Sequence, residues 1–209
     1  MTAGGDSSGI RLILCDFGGV ICTFDYRIFC ARLAERIHRS ADEVFGAAFG
    51  DRLQTDFESG KLSGRDYHRT VMVRLDADVP YEEFYPMYGD IFAEVPATCD
   101  LLRRLRRRFP LYLLSNTNAI HFDYMKKTAP VLSVFDEFIL SHEVGVLKPD
   151  PRIYEEALRR SGLPAGACLF VDDRRVNVEG AMRVGIRALR FESPGTFAAE
   201  LSRLGVVLL

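Results

Sequence analysis

The 209-residue chain is 48% hydrophobic with a net charge of −2, an ordinary globular composition long enough for one or two domains with a proper core. The balance excludes a strongly basic nucleic-acid footprint, and no apolar run approaches the roughly 20 residues of a membrane-spanning helix. The start, "MTAGGDSSG", lacks a basic-then-apolar signal pattern and reads as a flexible tail over residues 1–10.

The first apolar run, "LILCDF" (12–17), is short and continuous, as a strand buried on both faces should be. About ninety residues separate Val20 from the next such run at Leu111, against the roughly 10–12 that a crossover needs. The gap has helical cues. Ser40 with Glu43 makes a capping-box pattern, Ser63 can cap a segment through Leu75, and "YEEFYPMYGDIF" is amphipathic with a break expected at Pro86. A helical cap over 22–95, inserted after the first strand, is predicted. "RRLRRR" (103–108) has Leu101, Leu102, Leu105 and Phe109 at helical spacing beside it and reads as a solvated helix face.

Strand and helix then alternate. "LYLLSN" (111–116) precedes a helix around "DYMKKTA", and "FIL" (138–140) precedes "PRIYEEALRRSG", with Asp150 as N-cap, Pro151 at the first position and Gly162 as the stop. "CLFVDD" (168–173) precedes "RVNVEGAMRVG", and "RALRF" (187–191) follows. The fold class is therefore α/β: a Rossmann-like parallel sheet with helices on both faces, built from 11–21 and 96–209. The five cysteines, Cys15, Cys22, Cys30, Cys99 and Cys168, are odd in number and show no CxxC. They read as buried free thiols of a cytoplasmic protein. The four histidines show no ligand spacing with one another or with cysteine.

The polar residues collect at strand ends. Asp16 ends the first strand, Ser115, Asn116 and Thr117 the second, Lys148 follows the third, and Asp172 and Asp173 end the fourth. In an open parallel sheet these ends line one crevice. Each residue has a plainer reading: Asp173 as a helix cap, Ser115 and Asn116 as turn residues, Lys148 as a loop lysine. Their convergence from four strands favours a shared site, and the chemistry it suits is phosphoryl transfer. Asp16 with Asp172 or Asp173 offers the hard oxygens that magnesium takes, and Lys148 offers a fixed cation, aimed by the extended backbone that Pro149 imposes. Ser115 and Asn116 can hold phosphoryl oxygens, and Asp16 can attack phosphorus to form an aspartyl-phosphate.

"DFGGV", "LSNTN", "GVLKPDPRIYEEAL" and "VDDRRVNVEGA" stand in the order of the four motifs of the haloacid dehalogenase superfamily, which this sequence resembles from about Arg11 to its end. Small bacterial sugar-phosphate phosphatases, such as those for alpha-glucose 1-phosphate, and the phosphatase domain of soluble epoxide hydrolase are the nearest likenesses. The resemblance implies Asp16 as nucleophile, Ser115 as phosphate-binding hydroxyl, Lys148 as charge-stabilising lysine, and Asp172 and Asp173 as metal-side acids. It adds the carbonyl of Gly18 as a magnesium ligand. It implies a small phosphorylated metabolite as substrate, with neither nucleic acid nor membrane as partner.

One departure is at Gly18, where most phosphatases of the family carry a second acid that protonates the leaving group. General acid catalysis contributes typically about 10²–10⁴-fold, against whole-enzyme accelerations that start around 10⁶, so turnover survives the loss. Asp25 is a candidate substitute, with helix capping as its plainer role. Phe24, Tyr26, Arg65, Tyr67, His68 and Arg69 are candidates for the cap lining, with cap core or surface as their alternative. Two other functions compete: a non-catalytic ligand-binding protein, and a metal-free dehalogenase, which does not place paired acids beside its nucleophile.

Overall fold

The computed structural model describes residues 9–206, so most of the expected tail lies outside the described residues. Packing begins earlier than expected, because Ile10 is already buried in the core. The next residues form β1 (Leu12–Cys15), buried throughout. Ile13 and Cys15 face one hydrophobic cluster and Leu12 and Leu14 the other, the period of two that a strand between two helical layers requires.

Five parallel strands make the sheet, in the order β5 (Glu137–Leu140), β4 (Leu111–Ser115), β1, β6 (Cys168–Asp172) and β7 (Arg187–Arg190). All five lie within about a residue of the predicted runs. One face packs on α6 (Pro96–Leu105), α7 (Ala119–Thr128) and α11 (Pro194–Arg203). The other packs on α9 (Pro151–Ser161) and α10 (Arg175–Arg183). The chain runs outward from β1 through β4 to β5, then crosses to β6 on the other side. The carboxyl ends of β1 and β6 thus meet where the direction of winding reverses, the place where such sheets bind ligands. On α6 the leucines at 101, 102 and 105 are buried while Arg103 and Arg104 are exposed, the solvated face expected of the basic run.

Residues 22–95, the expected insertion, hold five helices above a two-stranded ribbon of β2 (Cys22–Phe24) and β3 (Phe92–Glu94). The helices are α1 (Tyr26–Ile37), α2 (Ala41–Phe49), α3 (Leu53–Glu58), α4 (Gly64–Leu75) and α5 (Tyr81–Gly89). Ser40 and Glu43 close the predicted capping box on α2, and Ser63 caps α4 by accepting from the Asp66 N–H. The break expected at Pro86 does not occur: α5 continues to Gly89 with Pro86 inside it. Phe84 and Tyr88, both fully buried and stacked at 5.6 Å, anchor the helix on either side of the proline. Among the described residues no helix is long and apolar enough to cross a membrane. All five cysteines are buried free thiols.

His121 of α7 joins the aromatic cluster of the insert, stacked on Tyr88 at 4.3 Å. Its Nδ1 lies 3.0 Å from the Asn118 amide nitrogen and its Nε2 3.1 Å from the Tyr88 carbonyl. A ring that accepts at Nδ1 and donates from Nε2 is neutral. Burial pushes its pKa down from 6.5 to about 3. The unfolded chain therefore takes up a proton first, so stability is full above about pH 6.5 and falls by about 1.4 kcal/mol per pH unit toward pH 3. Denaturation curves at about pH 7 and about pH 5 should show this loss in the wild type and a smaller one in His121→Gln. Equal slopes in the two proteins would contradict the assignment.

Candidate active site

β1 runs straight into Asp16, whose N–H continues the sheet by donating to the Val171 carbonyl at 2.9 Å. Its Oδ1 accepts from the Phe17 N–H at 2.7 Å. Across from it lies Lys148, whose side chain is fully buried. The Lys148 ammonium donates to Asp16 Oδ1 at 2.8 Å, Asp172 Oδ2 at 2.7 Å and the Leu114 carbonyl at 2.8 Å, so its three protons each meet an oxygen. The sequence credited Pro149 with aiming this lysine. The structure adds a more specific device: Asn116 Oδ1 accepts from the Lys148 N–H at 2.8 Å while Asn116 Nδ2 donates to its carbonyl at 3.0 Å. The Asn116 side chain thereby clamps the lysine backbone to the end of β4.

Asp172, at zero exposure, accepts from the Arg174 N–H at 2.8 Å and from Asn177 Nδ2 at 3.0 and 3.1 Å. These bonds fix the turn that leads into α10, whose N-cap is Arg174 and which no side chain caps, so the cap role expected of Asp173 is not filled. Asp173 stays free to face the crevice. Gly19, at φ +79°, passes so close that a Cβ there would meet the Asp173 carboxyl at 2.6 Å, a position only glycine fills without strain. Carboxylate oxygens of Asp16, Asp172 and Asp173 all lie within 4.8 Å of one another. Burial pushes the Asp16 carboxyl above the ordinary carboxylate range; Lys148 pulls it back and Asp172 pushes it further up. Burial and then Asp172 also raise Asp173. Burial alone would lower the Lys148 ammonium, but Asp16 and Asp172 hold it above its usual value.

These groups open on a cavity of about 420 Å³, within the range of small-molecule sites. The sheet side contributes Asp16, Gly18, Asn116, Lys148, Asp173, Arg174 and Asn177; the insert contributes Phe24, Tyr26, Gln54, Thr55 and Glu58. Ser115 ends β4 at 3% exposure, next to the Asn116 wall. Of the expected cap lining, only Phe24 and Tyr26 reach this cavity. Tyr67 is wholly buried, its hydroxyl on the Ala48 carbonyl at 3.0 Å. Arg65, His68 and Arg69 border a separate groove with Tyr81, because α4 turns its polar face away from the sheet. Asp25 caps α1 by accepting from the Arg27 N–H at 2.9 Å and is exposed.

Gly18 is not held by a positive φ. Its side-chain space is taken: a Cβ there would lie 2.8 Å from the Phe24 ring. Asn177, Gln54 and Glu58 were not foreseen. Asn177 had a signal, five residues past Asp172 inside "VDDRRVN", which places it one turn into the following helix. Its Oδ1 is buried without a protein partner among the described residues, the mark of a site that takes a further ligand.

The family model for haloacid dehalogenase-like hydrolases matches residues 10–185. D-ribitol-5-phosphate phosphatase of Bacteroides thetaiotaomicron is 26% identical over 200 residues, covering 92% of this chain and 97% of that one. (S)-2-haloacid dehalogenase of Pseudomonas sp. (strain YL) is 34% identical over 113 residues, covering 54% of this chain and 47% of that one. Among solved structures, the magnesium complex of a HAD family enzyme from Bacteroides thetaiotaomicron superposes with a TM-score of 0.79 at 25% identity, covering 93% of this chain and 99% of that one.

Proposed function

The chain belongs to the haloacid dehalogenase-like hydrolases, and on that premise we propose that it is a magnesium-dependent phosphatase of a small phosphorylated metabolite, a sugar or polyol phosphate. The carrying observation is the cluster of Asp16, Lys148 and Asp173, which line the cavity, with the buried Asp172, which is bonded to Lys148. A dianionic phosphate approaching a carboxylate is repelled, and three carboxylates with one ammonium leave that repulsion uncompensated. The donor set fits a small hard cation: carboxylate oxygens gathered within 4.8 Å, with Gly18 and Asn177, whose amide oxygen is buried without a partner, lining the same cavity. Asp16, Gly18, Asp172 and Asp173 would hold magnesium, which when bound supplies charge neutralisation and polarises the phosphoryl group.

Asp16 attacks phosphorus, the bond to the leaving oxygen breaks, and water later hydrolyses the aspartyl-phosphate. Lys148, held by Asn116 from behind, keeps a fixed positive charge beside the transferring group. The Ser115 hydroxyl and the backbone N–H of Asn116, whose side chain is occupied with Lys148, hold its remaining oxygens. Residues 22–95 act as a cap, and Tyr26, Gln54, Thr55 and Glu58 give it a polar lining suited to substrate hydroxyls. The buried free thiols suit a reducing, cytoplasmic setting. The acid cluster weighs against a metal-free dehalogenase, since uncompensated carboxylates raise one another's pKa. Its convergence with Lys148 weighs against a mere binding protein.

Turnover of para-nitrophenyl phosphate should vanish with a chelator and return with added magnesium. Full activity in chelator would overturn the magnesium requirement.

A further inference from the structure

The phosphatase reading leaves the leaving group without a proton donor. The position two residues past Asp16 is filled by the Phe24 ring, and Asp25 is an exposed helix cap. The cavity lining contains three carboxyls: Asp16, Asp173 and Glu58. The first two belong to the acid cluster. Glu58 comes from α3 of the insert and takes no part in the steps of nucleophile, lysine and metal-side acids.

Glu58 is fixed in place, not carried on a loose insert. The Ser141 hydroxyl of α8 (Ser141–Val144) donates to its backbone carbonyl at 2.7 Å, and the same hydroxyl accepts from the Thr117 N–H at 2.9 Å. Two residues on, Gly60 at φ +72° lies so close to the His142 carbonyl that a Cβ would stand 2.0 Å from it. α3 is thus tied to the sheet edge that carries the motif loop after β4. On its own helix, Gln54 Nε2 donates to Glu58 Oε1 at 2.9 Å and to the Tyr26 hydroxyl at 2.9 Å, which orients the carboxyl from behind.

Resting on the phosphatase reading, we propose that Glu58 is the catalytic proton donor, supplied by the insert in place of the acid missing at Gly18. As Asp16 bonds to phosphorus and the phosphorus–oxygen bond breaks, the electron pair passes to the leaving oxygen and the Glu58 proton follows it, releasing an alcohol. The resulting carboxylate takes a proton from the water that attacks the aspartyl-phosphate. Asp16 and protonated Glu58 are restored as inorganic phosphate forms. The surroundings suit a carboxyl that holds its proton: burial raises Glu58, while Gln54 and Arg174 pull it back only in part. The groups near it are Gln54 of its own helix, Tyr26 from α1 and Arg174 from the segment after β6, and Asp16, Lys148 and Asp173 line the same cavity.

The test is a series of aryl and alkyl phosphates of graded leaving-group pKa, none with further hydroxyls, read as kcat/KM with magnesium. Glu58→Gln keeps the bond from Gln54 but has no proton to give. It should lose about 10²–10⁴-fold on alkyl phosphates and less than about tenfold on para-nitrophenyl phosphate, with a steeper leaving-group dependence than wild type. Glu58→Asp, which keeps a carboxyl, should recover part of the alkyl activity. An active wild type whose Glu58→Gln variant runs parallel to it across the series, or falls uniformly, overturns the assignment of Glu58 alone. A wild type inert toward every phosphate overturns the phosphatase reading and this inference with it.

Discussion

Asp16→Asn should fold like the wild type and lose turnover by about 10⁴-fold or more, the scale on which removing a nucleophile acts. The amide has the same shape and keeps an oxygen for the Phe17 N–H. Lys148 retains two of its three oxygens, on Asp172 and Leu114. One charge leaves a cluster in which burial and Asp172 already disfavour the ionised Asp16, so the loss of its ion pair is offset by relief of that repulsion. The melting temperature should therefore move by only a few degrees. The phosphoenzyme should be absent after acid quench of the variant with labelled substrate and present in the wild type. Substantial residual activity in a pure sample, or a phosphoenzyme in the variant, would remove Asp16 from the role.

The central strands β1, β4 and β6 were legible because they are buried almost throughout and so read as apolar runs, while the edge strands β5 and β7 showed as shorter apolar stretches. Their order of polar ends followed from the rule that parallel strands deliver their carboxyl ends to one edge, which is why Asp16, Lys148, Asp172 and Asp173 could be named before any geometry. The clamp of Asn116 on Lys148 was not legible, since nothing local marks a bond spanning 32 residues. The insert was legible as helices and illegible as a lining. Amphipathic spacing tells which face of α4 is apolar, but not which neighbour that face meets; Arg65, His68 and Arg69 lie on the other face. α3, with six residues and no side-chain cap, gave no signal at all, though it brings Gln54 and Glu58 to the cavity. The missing acid at Gly18 was plain from sequence, while the Phe24 ring that stands against that position depends on how β2 returns over the turn.

Lys148→Met should be the most damaging of these changes to stability, and it should slow the chemistry as well. Methionine matches the lysine side chain as far as Cε but leaves Asp16 and Asp172, both buried, with no cation between them. Removing one partner of a buried ion pair typically costs about 3–5 kcal/mol, and loss of a single electrostatic stabiliser about 10²–10³-fold in turnover. The sign with pH follows from the carboxyls. Lys148 is what pulls Asp16 down, so without it the folded carboxyl lies still further above its unfolded value. The folded variant then binds protons that the unfolded chain has released, and its stability falls as pH rises through that window. Acidification from about pH 7 to about pH 5.5 should raise the melting temperature of Lys148→Met relative to wild type. Magnesium should do the same at neutral pH, because a cation held by the acids replaces part of the missing charge and shifts the folding equilibrium by mass action. Two results would show that the lysine does not hold the acids together: a variant as stable as wild type at neutral pH, or one in which neither acid nor magnesium narrows the gap.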